Sequence, residues 1–93
     1  MNGWQVEFTD EVWPAYRALT DHLRREVIEI LWELREDGPE IFGAIQLRSN
    51  RDTWRVRFGS GRYRMLYQAS RRKKRIGVSR LGLRKNAYAG LRG

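Results

Sequence analysis

Apolar residues repeat along this chain with two different periods, and the changes of period mark its elements. Trp4, Val6 and Phe8 alternate with Gln5 and Glu7, so residues 4–8 predict a half-buried strand. Thr9 and Asp10 are cap residues for a short helix over residues 11–19, with Pro14 tolerated near its start and Trp13 and Tyr16 expected to face the core. Thr20 and Asp21 offer a second cap. Leu23, Val27, Ile30, Leu31 and Leu34 then recur at spacings of three and four, with Arg24, Arg25, Glu26, Glu29, Glu33 and Arg35 between them. This predicts an amphipathic helix of four to five turns that stops at Gly38-Pro39.

After that proline the period falls to two. Ile45 and Leu47 alternate with Gln46 and Arg48, suggesting a strand, and 49–52 read as turn chemistry. Trp54, Val56 and Phe58 alternate with Arg55 and Arg57, and Gly59-Ser60-Gly61 reads as a tight hairpin connection. Residues 62–68 follow as a strand, Arg71 to Arg75 as a basic hairpin loop, and residues 76–83 as a last strand before a short tail. There is no repeat, linker or low-complexity segment. The expected fold is one α+β domain over residues 1–93, with two N-terminal helices packed on one face of a small, mostly antiparallel β-sheet.

Charge sharpens that picture. The chain of 93 residues carries a net charge of +8, and the sign is segregated along it. Residues 1–52 hold all 11 acids and 6 bases, whereas residues 53–93 hold 13 bases and no acid. Surfaces serving solubility alone mix signs, so an acid-free basic half points to phosphates or an acidic partner. The absence of cysteine excludes a disulfide framework, a thiolate metal site and a cysteine nucleophile. No His/Asp/Glu grouping has metal-ligand spacing and no phosphate-binding loop motif occurs, so no metal or cofactor is expected. The N-terminus has neither a basic start nor an apolar run, which leads to the expectation of a cytoplasmic protein with no membrane association.

The candidate chemistry lies in the basic half. Arg55 and Arg57 are two apart on one strand and project from the same face. Arg64 lies on the strand paired with theirs, and Arg80 and Arg84 lie at and just past the last strand. Unopposed guanidinium groups on one open sheet surface suit phosphate oxygens. Trp54, Tyr63, Tyr67 and Tyr88 are interleaved with them, as suits unstacked bases, although core packing is the favoured reading of Trp54 and Tyr67. The single histidine, His22, reads as a surface residue at a helix start.

The stretch from Trp54 to Gln68 resembles the central hairpin of RelE-type toxins, and Leu81 to Tyr88 resembles their closing motif: glycine, then a basic residue, then tyrosine. The order of elements resembles the RelE/ParE superfamily along nearly the whole chain. This resemblance implies a microbial RNase fold and the toxin of a type II toxin–antitoxin system, a ribosome-dependent mRNA endoribonuclease that inhibits translation. In such enzymes a ribose 2′-hydroxyl attacks the adjacent phosphate. Arg55, Arg57, Arg64, Arg84 and Tyr88 stand where the family carries its catalytic groups. Arg62, Arg71, Arg72, Lys73, Lys74, Arg80 and Lys85 would bind RNA. The implied partners are a cognate acidic antitoxin, mRNA and the ribosome, with operator DNA reached only through the antitoxin complex. RelE carries lysines at the positions of Arg55 and Arg57, and arginine very rarely gives up its proton. Catalysis would then rest on charge stabilisation and positioning. Two alternatives stay open: a ParE-type inhibitor of DNA gyrase that cuts nothing, and a nucleic-acid-binding regulator without catalysis.

Overall fold

A computed structural model describes residues 3–84. β1 (Gln5–Phe8) leads into the short helix α1 (Val12–Arg17) and the long helix α2 (Asp21–Asp37). Then come β2 (Ile45–Gln46), β3 (Thr53–Phe58), β4 (Tyr63–Ser70) and β5 (Arg75–Leu83). The strands form one sheet in the order β1-β5-β4-β3-β2. All neighbours are antiparallel except β1, which returns through the two helices to run parallel to β5 at the sheet edge.

α2 begins where the sequence places it, because Thr20 Oγ1 accepts the Leu23 N–H at 3.3 Å. It ends at Gly38, whose positive φ of 87° suits glycine and whose N–H reaches the Leu34 carbonyl at 2.9 Å. The first cap departs from expectation. Neither Thr9 nor Asp10 caps α1 with its side chain; the Thr9 carbonyl accepts the Val12 N–H instead, and Glu11 takes the cap position without a side-chain bond. Consequently α1 turns Val12 into the core, while Trp13 remains 45% exposed against Phe8 at 4.8 Å. The strand expected from Ile45 to Arg48 forms over two residues only.

The core lies between the helices and one sheet face. Val12 and Leu19, together with Val27, Ile30 and Leu34 of α2, meet Trp54, Val56 and Phe58 of β3, Met65 and Tyr67 of β4, and Ile76, Val78 and Leu81 of β5. Register explains the composition, since Trp54↔Tyr67, Val56↔Met65 and Met65↔Leu81 are cross-strand partners that share a face. Trp54 and Tyr67 are thus core residues. The Tyr67 hydroxyl donates to the Pro39 carbonyl at 2.6 Å and so ties β4 to the chain just beyond α2.

The hairpin between β3 and β4 depends on Gly59. Its φ of 62° lies in the left-handed region, and a Cβ there would stand 2.7 Å from the Tyr63 ring and 2.9 Å from a Leu23 methyl group. Its N–H donates to Glu26 Oε1 at 3.0 Å, fastening the turn to α2. Gly61 has φ of 84° but open space at its Cβ. Gly59→Ala should therefore destabilise the fold by about 2 kcal/mol or more, whereas Gly61→Ala loses only the conformational term of about 1 kcal/mol. Urea denaturation of the two variants checks the order.

Burial raises the Tyr67 phenol pKa well above its usual value near 10. The folded state therefore keeps this proton after the unfolded chain has released it. The resulting stability is fully present below pH ~10 and is lost as pH rises beyond it. Tyr67→Phe should cost about 1–2 kcal/mol at neutral pH through the lost Pro39 bond. It should also lessen the alkaline loss of stability, as read from melting curves between pH 8 and 11.

Candidate nucleic-acid interface

Because the helices occupy one sheet face, the alternate residues of β3, β4 and β5 point the other way. Arg57↔Arg64, Arg55↔Leu66 and Leu66↔Arg80 are register partners on this second face, with Arg64 opposite Gly82. Arg84 follows β5 and is exposed, and its N–H binds the Arg62 carbonyl at 3.0 Å, which sets it beside the β3–β4 hairpin. One end of the sheet therefore gathers Arg57, Arg62, Arg64 and Arg84.

These arginines are not equivalent. Arg57 and Arg62 are exposed and Arg55 is half-buried. Arg64, expected with an exposed guanidinium, is instead only 3% exposed. Its Nη1 donates to the carbonyls of Gly61 and Tyr63, so the group braces the turn from which it springs. This face is expected to be open, yet Leu66 is fully buried there. Leu66 is flanked by Arg55 and Arg80 across the strands, and the aliphatic stems of long cations shield apolar neighbours of this kind. Thr53, on the same face, is buried and accepts from Gln68 Nε2 at 3.2 Å.

The remaining basic residues divide further. Arg71, Arg72, Lys73 and Lys74 lie in the turn joining β4 to β5, at the opposite end of β4 from Arg64. Ser70 lies six residue steps along the strand from Arg64, or about 20 Å, which is beyond the reach of one phosphodiester. At that far end a groove of about 750 Å³ is bordered by Arg51, Arg71, Arg72, Lys73 and Arg75, with Gln68 and Gly77 in its lining. Arg51, which reads from sequence only as turn chemistry, and Arg75, which reads as the end of the basic loop, are not among the RNA-binding candidates above; the sheet brings the two turns that carry them together.

Acids from the N-terminal half reach several of these cations. Arg80 Nη1 lies 3.5 Å from Glu11 Oε1, and Arg71 Nη2 lies 2.9 Å from Glu40 Oε1. Both pairs are solvent-exposed and contribute little to stability, but they show that the acid-free half is not unopposed in space. Lys74 Nζ stands over the Trp4 ring at 5.8 Å. His22 is exposed, as expected, and its Nε2 lies 3.2 Å from Glu26 Oε2, on the helix that fastens the Gly59 turn. Lys85 and Tyr88 lie outside the described residues.

No family model and no curated protein matches the sequence. Solved structures do match the fold. The isolated RelE toxin of E. coli is 25% identical with a TM-score of 0.74, covering 86% of this chain and 83% of that one. The archaeal RelE–RelB complex from Pyrococcus horikoshii gives 26% identity and a TM-score of 0.73, over 90% of this chain and 98% of that one. The RelBE2 toxin–antitoxin complex from Mycobacterium tuberculosis gives 22% and 0.73, over 90% and 94%. The resemblance read from the hairpin and the order of elements is thus matched by the three-dimensional structure.

The two arginines that face each other across β3 and β4 should respond differently to truncation. Arg57→Ala removes an exposed charge and should leave the melting temperature within a few degrees of wild type. Arg64→Ala removes the brace on Gly61 and Tyr63 and should cost about 1–3 kcal/mol. Thermal melts of the two variants distinguish an exposed charge from a structural one.

Proposed function

We propose that this chain, RelE-like in fold and in superfamily, is the toxin of a type II toxin–antitoxin pair and cleaves mRNA on the translating ribosome. The observation that carries this reading is the cationic end of the sheet. Arg57 and Arg64 are cross-strand partners there, and Arg84 is drawn in through the Arg62 carbonyl. The RelE–RelB and RelBE structures supply the toxin–antitoxin context.

The reaction needs little covalent help from the protein. A ribose 2′-oxygen forms a bond to the adjacent phosphorus, the 5′-oxygen leaves, and the proton lost from the 2′-hydroxyl is balanced by one gained on the leaving oxygen. Extra negative charge builds on the phosphate oxygens between these events. Arg57 and Arg84, exposed and close to the hairpin, are the groups to meet that charge. Arg64, braced against the turn, fixes the hairpin that presents them and adds its own positive charge from behind. Guanidinium groups hold their protons throughout, so this end stabilises charge and positions the scissile phosphate, and the ribosome and Tyr88 are left to serve proton transfer. Arg55 and Arg80, about one residue pair further along the sheet, would hold the neighbouring phosphate. The far groove around Arg72, Lys73 and Arg75 would grip a separate stretch of RNA backbone.

Induction in bacteria followed by primer extension tests the proposal. Breaks should appear within translated codons and vanish when translation initiation is blocked. Loss of one charge-stabilising donor typically costs on the order of 100-fold in rate or more. Arg57→Ala and Arg84→Ala should each slow cleavage to about that extent. Arg72→Ala/Lys73→Ala, distant from the scissile bond, should weaken ribosome binding instead, with a flatter salt dependence, so that the deficit shrinks as salt rises. Intact transcripts together with trapped gyrase–DNA complexes would assign the chain to the gyrase-poisoning class.

A further inference from the structure

Helix α2 carries four glutamates, and one differs from the rest. Glu29, Glu33 and Glu36 are exposed, whereas Glu26 is half-buried at the border of the apolar stripe, beside Leu23 on the helix surface. Its two oxygens have separate partners. Oε1 accepts the Gly59 N–H at 3.0 Å, and Oε2 lies 3.2 Å from Nε2 of His22, one turn earlier. A glutamate engaged at both oxygens keeps little of its rotamer freedom. The single histidine of the chain thus lies against the one α2 carboxylate that reaches the hairpin between β3 and β4.

The Gly59 bond is the first of three that run in series to the cationic end. Gly59 donates its N–H to Glu26, Arg62 donates its N–H to the Gly59 carbonyl at 3.2 Å, and Arg84 donates its N–H to the Arg62 carbonyl at 3.0 Å. Helix α2, the hairpin and the end of β5 are linked in this way through four residues. Arg57 stands two positions before Gly59 on β3, and Arg64 braces the same hairpin through the Gly61 and Tyr63 carbonyls. Bonds inside the hairpin set its shape. The bond from Glu26 sets where that shape stands relative to the helix layer. A carboxylate suits this task, because a charge-assisted bond to a backbone N–H is roughly twice as strong as a neutral one.

We propose that Glu26 is a positioning residue for the cleavage reaction: by holding the Gly59 N–H it sets the placement of Arg57, Arg62 and Arg84 at the scissile phosphate. This rests on the toxin reading of the cationic end. Glu26 acts only through the turn and touches no reacting atom. His22 acts one step further back, by holding Oε2 and so keeping Oε1 on Gly59. A shift of about 1 Å at the reacting groups costs on the order of 100-fold in rate. Attraction between cations and a phosphate backbone tolerates such a shift. Loss of Glu26 therefore acts on the turnover of bound message and leaves the grip of the distant basic groove intact.

The test is the steady-state cleavage of mRNA on ribosomes by the full chain and its variants. Glu26→Ala should lower kcat on the order of 10- to 100-fold with little change in KM for the ribosome–mRNA complex. Glu26→Asp keeps the charge but shortens the reach by one methylene, and it should be slow as well. Glu26→Gln keeps an acceptor oxygen opposite Gly59 and should recover most of the rate. His22→Ala leaves the Gly59 bond in place and should lower kcat less than Glu26→Ala does. Assays at a temperature where circular dichroism shows each variant folded separate placement from stability, since a less stable but folded enzyme keeps its kcat. Without any RNA, the Gly59, Arg62 and Arg84 amides should exchange with deuterium at least ~10-fold faster in Glu26→Ala than in wild type. Wild-type kcat in both Glu26→Ala and Glu26→Asp, a loss confined to KM, Glu26→Gln as slow as Glu26→Ala, or amides exchanging at the wild-type rate overturns the inference and leaves the toxin reading standing. A wild type that cuts no message on ribosomes overturns the toxin reading, and the part of Glu26 in that reaction falls with it.

Discussion

Strand β4 is closed to solvent on both of its faces through Met65, Leu66 and Tyr67, and the rest of the molecule is arranged around that constraint. Met65 and Tyr67 are covered by α1 and α2, which is the ordinary use of an amphipathic helix. Leu66 faces the other way, where no helix of the described chain is packed. A small domain has little chain to spare for a third layer. Long arginine side chains on the neighbouring strands resolve this, since they shield an apolar residue with their stems and keep their charges toward water. The cationic surface is therefore also the cover of the sheet's second face. Surface charge and stability share the same side chains, and Arg64 shows it most plainly, buried to 97% while bonded to its own turn.

That double use explains which parts of the design were legible in the sequence. The α2 helix was fully visible, because its apolar spacing, its Thr20 cap and its Gly38-Pro39 stop all agree. β3 and β4 were visible from their alternation, and so was the side of the sheet on which Arg55 and Arg57 would emerge. Sequence distance hid the rest. Glu11 and Arg80 are 69 positions apart, and Glu40 and Arg71 are 31 apart, so the segregation of charge along the chain overstated its segregation in space. The parallel return of β1 onto β5 is likewise non-local, and without it Trp4 and Trp13 read as ordinary core residues. Arg64 was misplaced for a different reason. Periodicity states which face a side chain leaves from, and it cannot state that a long side chain folds back onto the carbonyls of its own turn.

The basic surface also has a division that no count of charges reveals. The β3–β4 hairpin end presents Arg57, Arg62 and Arg84 over a glycine-bearing turn that α2 holds through Glu26 and Gly59. The β4–β5 turn end presents Arg72, Lys73 and Arg75 around an open groove. Chemistry demands placement to a fraction of an ångström, whereas holding a phosphate backbone by charge does not. At the hairpin end Arg57, Arg62 and Arg84 thus stand over a fixed turn, which is the placement the proposed chemistry asks for.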